Sequence, residues 1–126
     1  MALYWTIDSR KRSVELVADG DVSMADAMAF FDAVEGAEAL TYSKLLDGTG
    51  GQAAMTPDDM LSIVVRIRGL HALGTMGPLA VVATAAQAER IARLLGAAAV
   101  ADRPMKVFED VKLARRWLEA QPSRLP

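Results

Sequence analysis

Residues Tyr42 to Asp59 constrain the fold of this chain more than any other stretch. Tyr42-Ser43-Lys44-Leu45-Leu46-Asp47 reads as a short strand that stops on an acid. Gly48-Thr49-Gly50-Gly51 follows as a glycine-rich loop, and Thr56-Pro57-Asp58-Asp59 announces a helix. Threonine is a good cap, proline suits the first helical position, and the two acids complement the positive end of the helix dipole. A strand, a glycine-rich turn and a capped helix in succession are the punctuation of an α/β protein. Such folds place ligands or switches at that junction.

The remaining segments continue the alternation. Leu3 to Asp8 and Ser13 to Ala18 are β-rich and separated by Ser9-Arg10-Lys11-Arg12, which predicts two antiparallel strands joined by a turn. Gly20 is expected to break the second strand. Ser23 with Asp26 forms a capping box for a helix whose apolar positions Met24, Ala27, Phe30, Phe31 and Val34 follow the helical period up to Gly36. After Thr56, the β-branched run Ile63-Val64-Val65 favours a strand by propensity alone, but the start signals and the length up to Gly69 predict a helix. That helix is apolar almost all round, so more than one of its faces is expected to be covered, with another copy of the chain as one candidate. Pro78 to Ala83 reads as a buried strand. Thr84 with Gln87 opens a further capped helix, Met105 to Phe108 is the last strand, and Asp110 caps a final helix with Val111, Ala114, Trp117 and Leu118 inward.

Strands alternating with helices imply right-handed crossovers. The expected architecture is α/β: a mixed, mostly parallel five-stranded sheet with an N-terminal antiparallel pair and about four helices. A length of 126 residues points to one domain spanning 1–126.

Several function classes lose support from composition. There are no cysteines and one histidine, His71, which excludes thiolate metal sites and two-histidine zinc sites within one chain. The lack of cysteine also fits a reducing cytoplasm, the expected location. A net charge of −2 gives nucleic-acid binding no electrostatic support. Acidic residues predominate up to Ser62 and basic residues from Ile63 onward, a polarity that would favour self-association if it mapped onto opposite faces. The uncharged run Gly69 to Ala88 is interrupted by Gly74, Gly77 and Pro78, so no membrane span is expected.

Enzyme chemistry finds no foothold. Gln52-Ala53 stands where a phosphate-binding loop needs Lys-Ser/Thr. Asp58 and Asp59 are adjacent on a helix and point about 100° apart, so they do not face each other as an acid and base pair must. His71 has no nucleophile or carboxylate partner evident by spacing and reads as structural. No cofactor is expected.

The order of elements resembles the SpoIIAA-like, or STAS, domains, a family that includes bacterial anti-sigma factor antagonists, and especially its stand-alone branch. The resemblance rests on Val14-Glu15-Leu16-Val17-Ala18-Asp19-Gly20-Asp21-Val22-Ser23, on Leu45-Leu46-Asp47 closing the central strand, and on Val107-Phe108-Glu109-Asp110 leading to Ala114 and Trp117-Leu118. It implies a mixed sheet with helices packed on it and a role in recognition more than in catalysis, and no enzyme activity is expected. Anti-sigma antagonists carry an Asp-Ser-Ser-Gly-Leu type motif whose serine is phosphorylated at a helix N-terminus. Here Asp47 matches the acid, Gly48-Thr49-Gly50-Gly51 replaces the serine pair, Thr49 is the nearest hydroxyl, and Thr56 sits at the helix start.

Two binding surfaces follow as expectations. The first is a switch or recognition loop of Asp47, Gly48, Thr49, Gly50, Gly51, Thr56, Asp58 and Asp59, for a protein partner such as a kinase or an anti-sigma-type regulator, or for a homodimer. The second is apolar: Met55, Met60, Val64, Ile67 and Met76, where adaptable methionine side chains suit a partner surface or a small lipid-like molecule in a cavity under the second helix. The fold's distant similarity to CRAL-TRIO lipid-transfer domains makes the small-molecule alternative worth carrying. Aromatic residues, Tyr4 and Trp5 among them, are expected mostly in the core.

Overall fold

Two N-terminal strands, β1 (Leu3–Asp8) and β2 (Ser13–Val22), pair antiparallel in a computed structural model that describes residues 2–98 and 103–122. The turn between them closes on Asp8, whose carboxylate accepts hydrogen bonds from the backbone of Arg10 at 2.9 Å and Lys11 at 3.0 Å. Thereafter strands and helices alternate: α1 (Met24–Gly36), β3 (Ser43–Ala53), α2 (Pro57–Leu73), β4 (Leu79–Val82), α3 (Ala85–Ala98), β5 (Met105–Phe108) and α4 (Val111–Glu119). The five strands form one mixed sheet in chain order, with β2 to β5 parallel. Fold class and strand directions are those expected from the alternation.

Chain order has a consequence for the layers. Each parallel crossover steps one strand in the same direction, and crossovers share one hand, so their helices land on one face of the sheet. α1, α2 and α3 accordingly pack together over the face carrying Val14, Leu16 and Leu46. Trp5 meets Phe30 of α1 edge-on at 5.5 Å between ring centroids, the centre of a cluster with Val34, Ala39 and Tyr42. α4 follows the last strand without crossing back and covers the opposite face, where Ala114 seats on Leu45, Ala80 and Val82. Trp117 stacks obliquely on Phe108 at 5.8 Å.

The nine residues of α4 pack mainly on β3, β4 and β5, with Arg115 donating to the Glu15 carboxylate of β2. The same face of β1 and β2 therefore lies largely open, and Tyr4 is 56% exposed there instead of in the core as expected.

The capped starts are as expected. Ser23 and Asp26 exchange backbone-to-side-chain hydrogen bonds at 3.1 Å each, and Thr56 and Asp59 repeat the box at 3.1 Å each. Proline occupies the first turn of α2, and the β-branched run is helical. Here the cap and the burial of Ile63 and Leu70 outweigh propensity.

Three expected boundaries are wrong. Gly20 does not break β2, and the glycine-rich segment after Asp47 is no loop. β2 and β3 continue beside each other as a two-stranded arm, pairing Asp19 with Gly50, Gly20 with Gly51 and Val22 with Ala53 after a bulge between Val17 and Asp19. Gly20 has φ of 85°, which suits glycine inside a bulged strand. A Cβ on Gly51 would lie 2.5 Å from the Cβ of Ala18, so glycine here permits close approach of two strands, not a turn. Gly69, likewise, does not end α2, which runs four residues further and is capped by Gly74. His71 thus belongs to the last helical turn.

Candidate functional site

Between the sheet and the layer of α1, α2 and α3 lies a cavity of about 320 Å³. Its walls are apolar: Val14, Leu16 and Ala18 from β2, Phe30 and Val34 from α1, Ile63, Ile67 and Leu70 from α2, and Ile91 and Leu94 from α3. The volume persists because β4 and β5 are only four residues long, while β3 runs for eleven and α2 spans seventeen. Short strands leave the far ends of the helical layer with little beneath them.

The cavity has two unlike ends. At the N-terminal edge of the parallel strands no lining side chain is fully exposed: Leu70 and Met76 are buried, together with Lys44 and Arg103, which are 6% and 9% exposed, and Leu40, Leu79 and Met105 are half-buried. The Lys44 ammonium donates to the carbonyls of Leu40 at 2.7 Å and Tyr42 at 2.8 Å. Arg103 donates from Nε to the carbonyl of Gly77 at 2.9 Å. Gly77 is pressed against the Thr41–Tyr42 backbone so closely that a Cβ would lie 2.1 Å from the Tyr42 oxygen. These contacts seal the end. Burial, reinforced by the neighbouring guanidinium of Arg103, lowers the Lys44 ammonium to about 7.

At the other end the lining turns exposed, with Gln52, Ala53 and Arg90 in contact with solvent. This mouth is rimmed by Gly48 and Gly51 of β3, Met55, Met60 and Gln87. Gln87 does two things at once. Its Oε1 accepts from the Thr84 backbone at 2.9 Å, completing the cap of α3, and its Nε2 donates to the carbonyls of Gly48 at 3.0 Å and Gly51 at 2.9 Å. One amide side chain holds the β3 arm against a helix start.

The residues expected to form a recognition loop are thus divided. Gly48 and Gly51 line the mouth, and Asp47 beside them accepts from the backbone and hydroxyl of Thr49 at 3.1 and 2.7 Å. Gly50 is exposed on the arm. Thr56 and Asp59 are engaged with each other in the cap, and Asp58 is exposed beside them. In the apolar set, Met55, Met60, Ile67 and Met76 line the cavity and Val64 does not. Lys44, Arg103, Gln87 and Arg90 were missed. Only Lys44 had a signal, since strand alternation puts it on the same face as Leu46, inward in an otherwise apolar pattern.

Among the described residues no group of three acids or histidines is placed to hold a metal. No helix of the described residues is long and apolar enough to cross a membrane.

The model of the family described as SpoIIAA-like matches residues 13–119. The chain belongs to the SpoIIAA-like family. A protein with a SpoIIAA-like fold from Shewanella loihica superposes with a TM-score of 0.64 over 93% of each chain, at 18% identity. The anti-sigma factor antagonist SpoIIAA in its unphosphorylated form gives 0.57 at 12% identity, over 95% of this chain and 100% of its own. An anti-sigma factor antagonist from Mycobacterium paratuberculosis gives 0.57 at 16% identity, over 93% and 94%. At such identities these likenesses carry the fold alone. No curated protein matches in sequence. On this SpoIIAA-like frame the β3 arm, Gln87 and the cavity mouth lie together at the C-terminal edge of the sheet, the edge where parallel α/β sheets receive ligands.

Proposed function

We propose that this chain is a regulatory binding module without catalytic chemistry of its own, whose state is set by a small apolar molecule held in the cavity beneath α2. The regulatory half of the reading draws on the family and on structural neighbours that are anti-sigma factor antagonists. The ligand half rests on one observation, the apolar cavity of about 320 Å³. That volume is at the lower end of the range for small-molecule sites, roughly 300–1,000 Å³. A guest that displaces water from those apolar walls buries apolar surface and stabilises the folded state.

Native mass spectrometry of freshly purified protein tests the reading. A co-purified species of small mass, released on unfolding, is the expected result. Bare protein in repeated preparations, together with no thermal stabilisation by apolar probes, would reject it.

A second reading gives the recognition role to the surface alone. The outer side of α2 exposes Leu61 and Val65, at 61% and 62%, one helical turn apart, and its last residue Leu73 is 64% exposed. It supports docking of a protein partner, a second copy of the chain being the simplest. Thr49 is the exposed hydroxyl beside the rim that a kinase would reach, its proton held by the Asp47 carboxylate, and the Thr56 oxygen is engaged in its cap. Sedimentation velocity showing a dimer that Val65→Glu abolishes would favour this reading. A monomer at all concentrations, with unchanged intact mass after incubation with a serine/threonine kinase, would count against it.

A further inference from the structure

We propose that the guest of the cavity is an amphiphile with a single anionic head, a medium-chain carboxylate in type, whose head meets Lys44 at the sealed end while its tail runs toward the Gly48–Gly51 rim. This rests on the cavity reading above and specifies its ligand.

The charge census of the wall carries the argument. Three charged side chains line the cavity, Lys44, Arg90 and Arg103, and all are cations; no Asp or Glu is found among the described lining residues. A neutral hydrocarbon needs none of them. β2, α1 and α2 contribute only apolar groups, so the cations stand out against the wall. Arg90 is exposed at the mouth, where solvent screens it. Lys44 is the opposite case, a lysine in an inward strand position with hydrocarbon around it.

Burying an ammonium is unfavourable without a compensating anion. The Leu40 and Tyr42 carbonyls fix its direction and take two of its three donors, but carbonyl dipoles do not neutralise it. One donor remains for an anionic acceptor. Lys44 and Gly51 are seven residues apart on β3, roughly 20 Å of strand, which leaves room for an extended chain between the two ends. The shape is long, apolar along its length and positive at the closed end. That shape matches a carboxylate amphiphile entering head first. The ammonium titrates near 7 for the reasons given, and Arg103 is the charged neighbour that adds to the effect of burial. A carboxylate arriving beside it raises that value, so binding near neutrality takes up part of a proton.

The test is isothermal titration calorimetry of the full chain with decanoate and with 1-decanol at pH 7, each in two buffers of different ionisation heat. Decanoate should bind about tenfold or more tightly than decanol, with fractional proton uptake. In Lys44→Met, decanoate should weaken by about tenfold or more, decanol should stay within about twofold, and the proton uptake should vanish. Equal affinity for the two ligands, or an unchanged decanoate affinity in Lys44→Met, overturns the assignment of the head while leaving the cavity reading intact. Binding of neither ligand overturns both. Should Lys44→Met fail to fold, the wild-type comparison decides: decanoate binding with no proton uptake overturns the proposal.

Discussion

Nε2 of Gln87 in α3 donates to the carbonyl oxygen of Gly51 at 2.9 Å, fastening a helix start to the far arm of β3. The contact answers a specific need. The pairing of β3 with β4 ends at Asp47 and Val82, so beyond that point β3 has a strand partner only on its β2 side. Carbonyls on its other side have no strand donors to meet, and the Gln87 amide supplies what a longer β4 would have supplied.

Gln87→Ala should therefore loosen the rim as well as the helix cap. The expected loss is about 1–2 kcal/mol in denaturant unfolding. Hydrogen exchange should accelerate at the amides of Gly48 to Ala53 more than elsewhere in the sheet. Unchanged exchange in that segment would show that the arm is held by its β2 partner alone.

Gly51→Ala should destabilise by about 1–3 kcal/mol, because its methyl group would meet the Ala18 methyl at 2.5 Å. The pair Gly51→Ala with Ala18→Gly should recover much of the loss, a coupling that a double-mutant cycle reads directly. Gly77→Ala has no such remedy, since its neighbour is the Tyr42 backbone oxygen at 2.1 Å. It should be the more damaging change, with a lower midpoint in urea or no folded protein.

Lys44 makes stability depend on pH in a defined window. Its ammonium is lowered from an ordinary 10.5 to about 7 in the fold. Between those values the unfolded chain binds a proton that the folded chain does not, so stability rises with pH, with a limiting slope of ~1.4 kcal/mol per unit from this group. Below about pH 7 both states are protonated, the slope vanishes and the full penalty of the buried charge remains. Lys44→Met should be more stable than wild type at pH 6, and the difference should shrink as pH approaches 10. Parallel stability curves for the two proteins from pH 6 to 9.5 would refute this.

Filling the cavity should stabilise the chain and close it to ligands together. Ile67 lines the cavity from α2, and Ile67→Phe adds volume facing the void. A gain of about 0.5–2 kcal/mol is expected, with binding of 1-decanol lost. A variant that is less stable and still binds decanol would mean that the space is not where the side chain points.

The opening motif shows where sequence reading works and where it stops. Thr56 and Asp59 behave as their local pattern says, because a capping box involves residues three apart and needs nothing else. The glycines before them were misread. Glycine loosens the backbone in turns and also permits close approach of strands, and only the partner chain segment distinguishes the two. Gly51 faces Ala18, thirty-three residues earlier, so nothing local marks it as a strand residue. Gly69 repeats the lesson inside α2, where burial of the neighbouring Leu70 outweighs glycine's weak helix propensity.

By itself, the sequence determined the alternation of strands and helices, the capped helix starts and hence the α/β class, since periodicity and caps are properties of a few consecutive residues. The tertiary structure alone decided how the junction after Asp47 is built. Strands 2 and 3 run on together past β4, a helix-borne glutamine holds the arm they make, and the space left under α2 opens at that rim and ends at Lys44. These features depend on contacts between segments far apart in the chain. A cavity is the volume that no side chain fills, and only the packed arrangement of the elements shows where that volume lies.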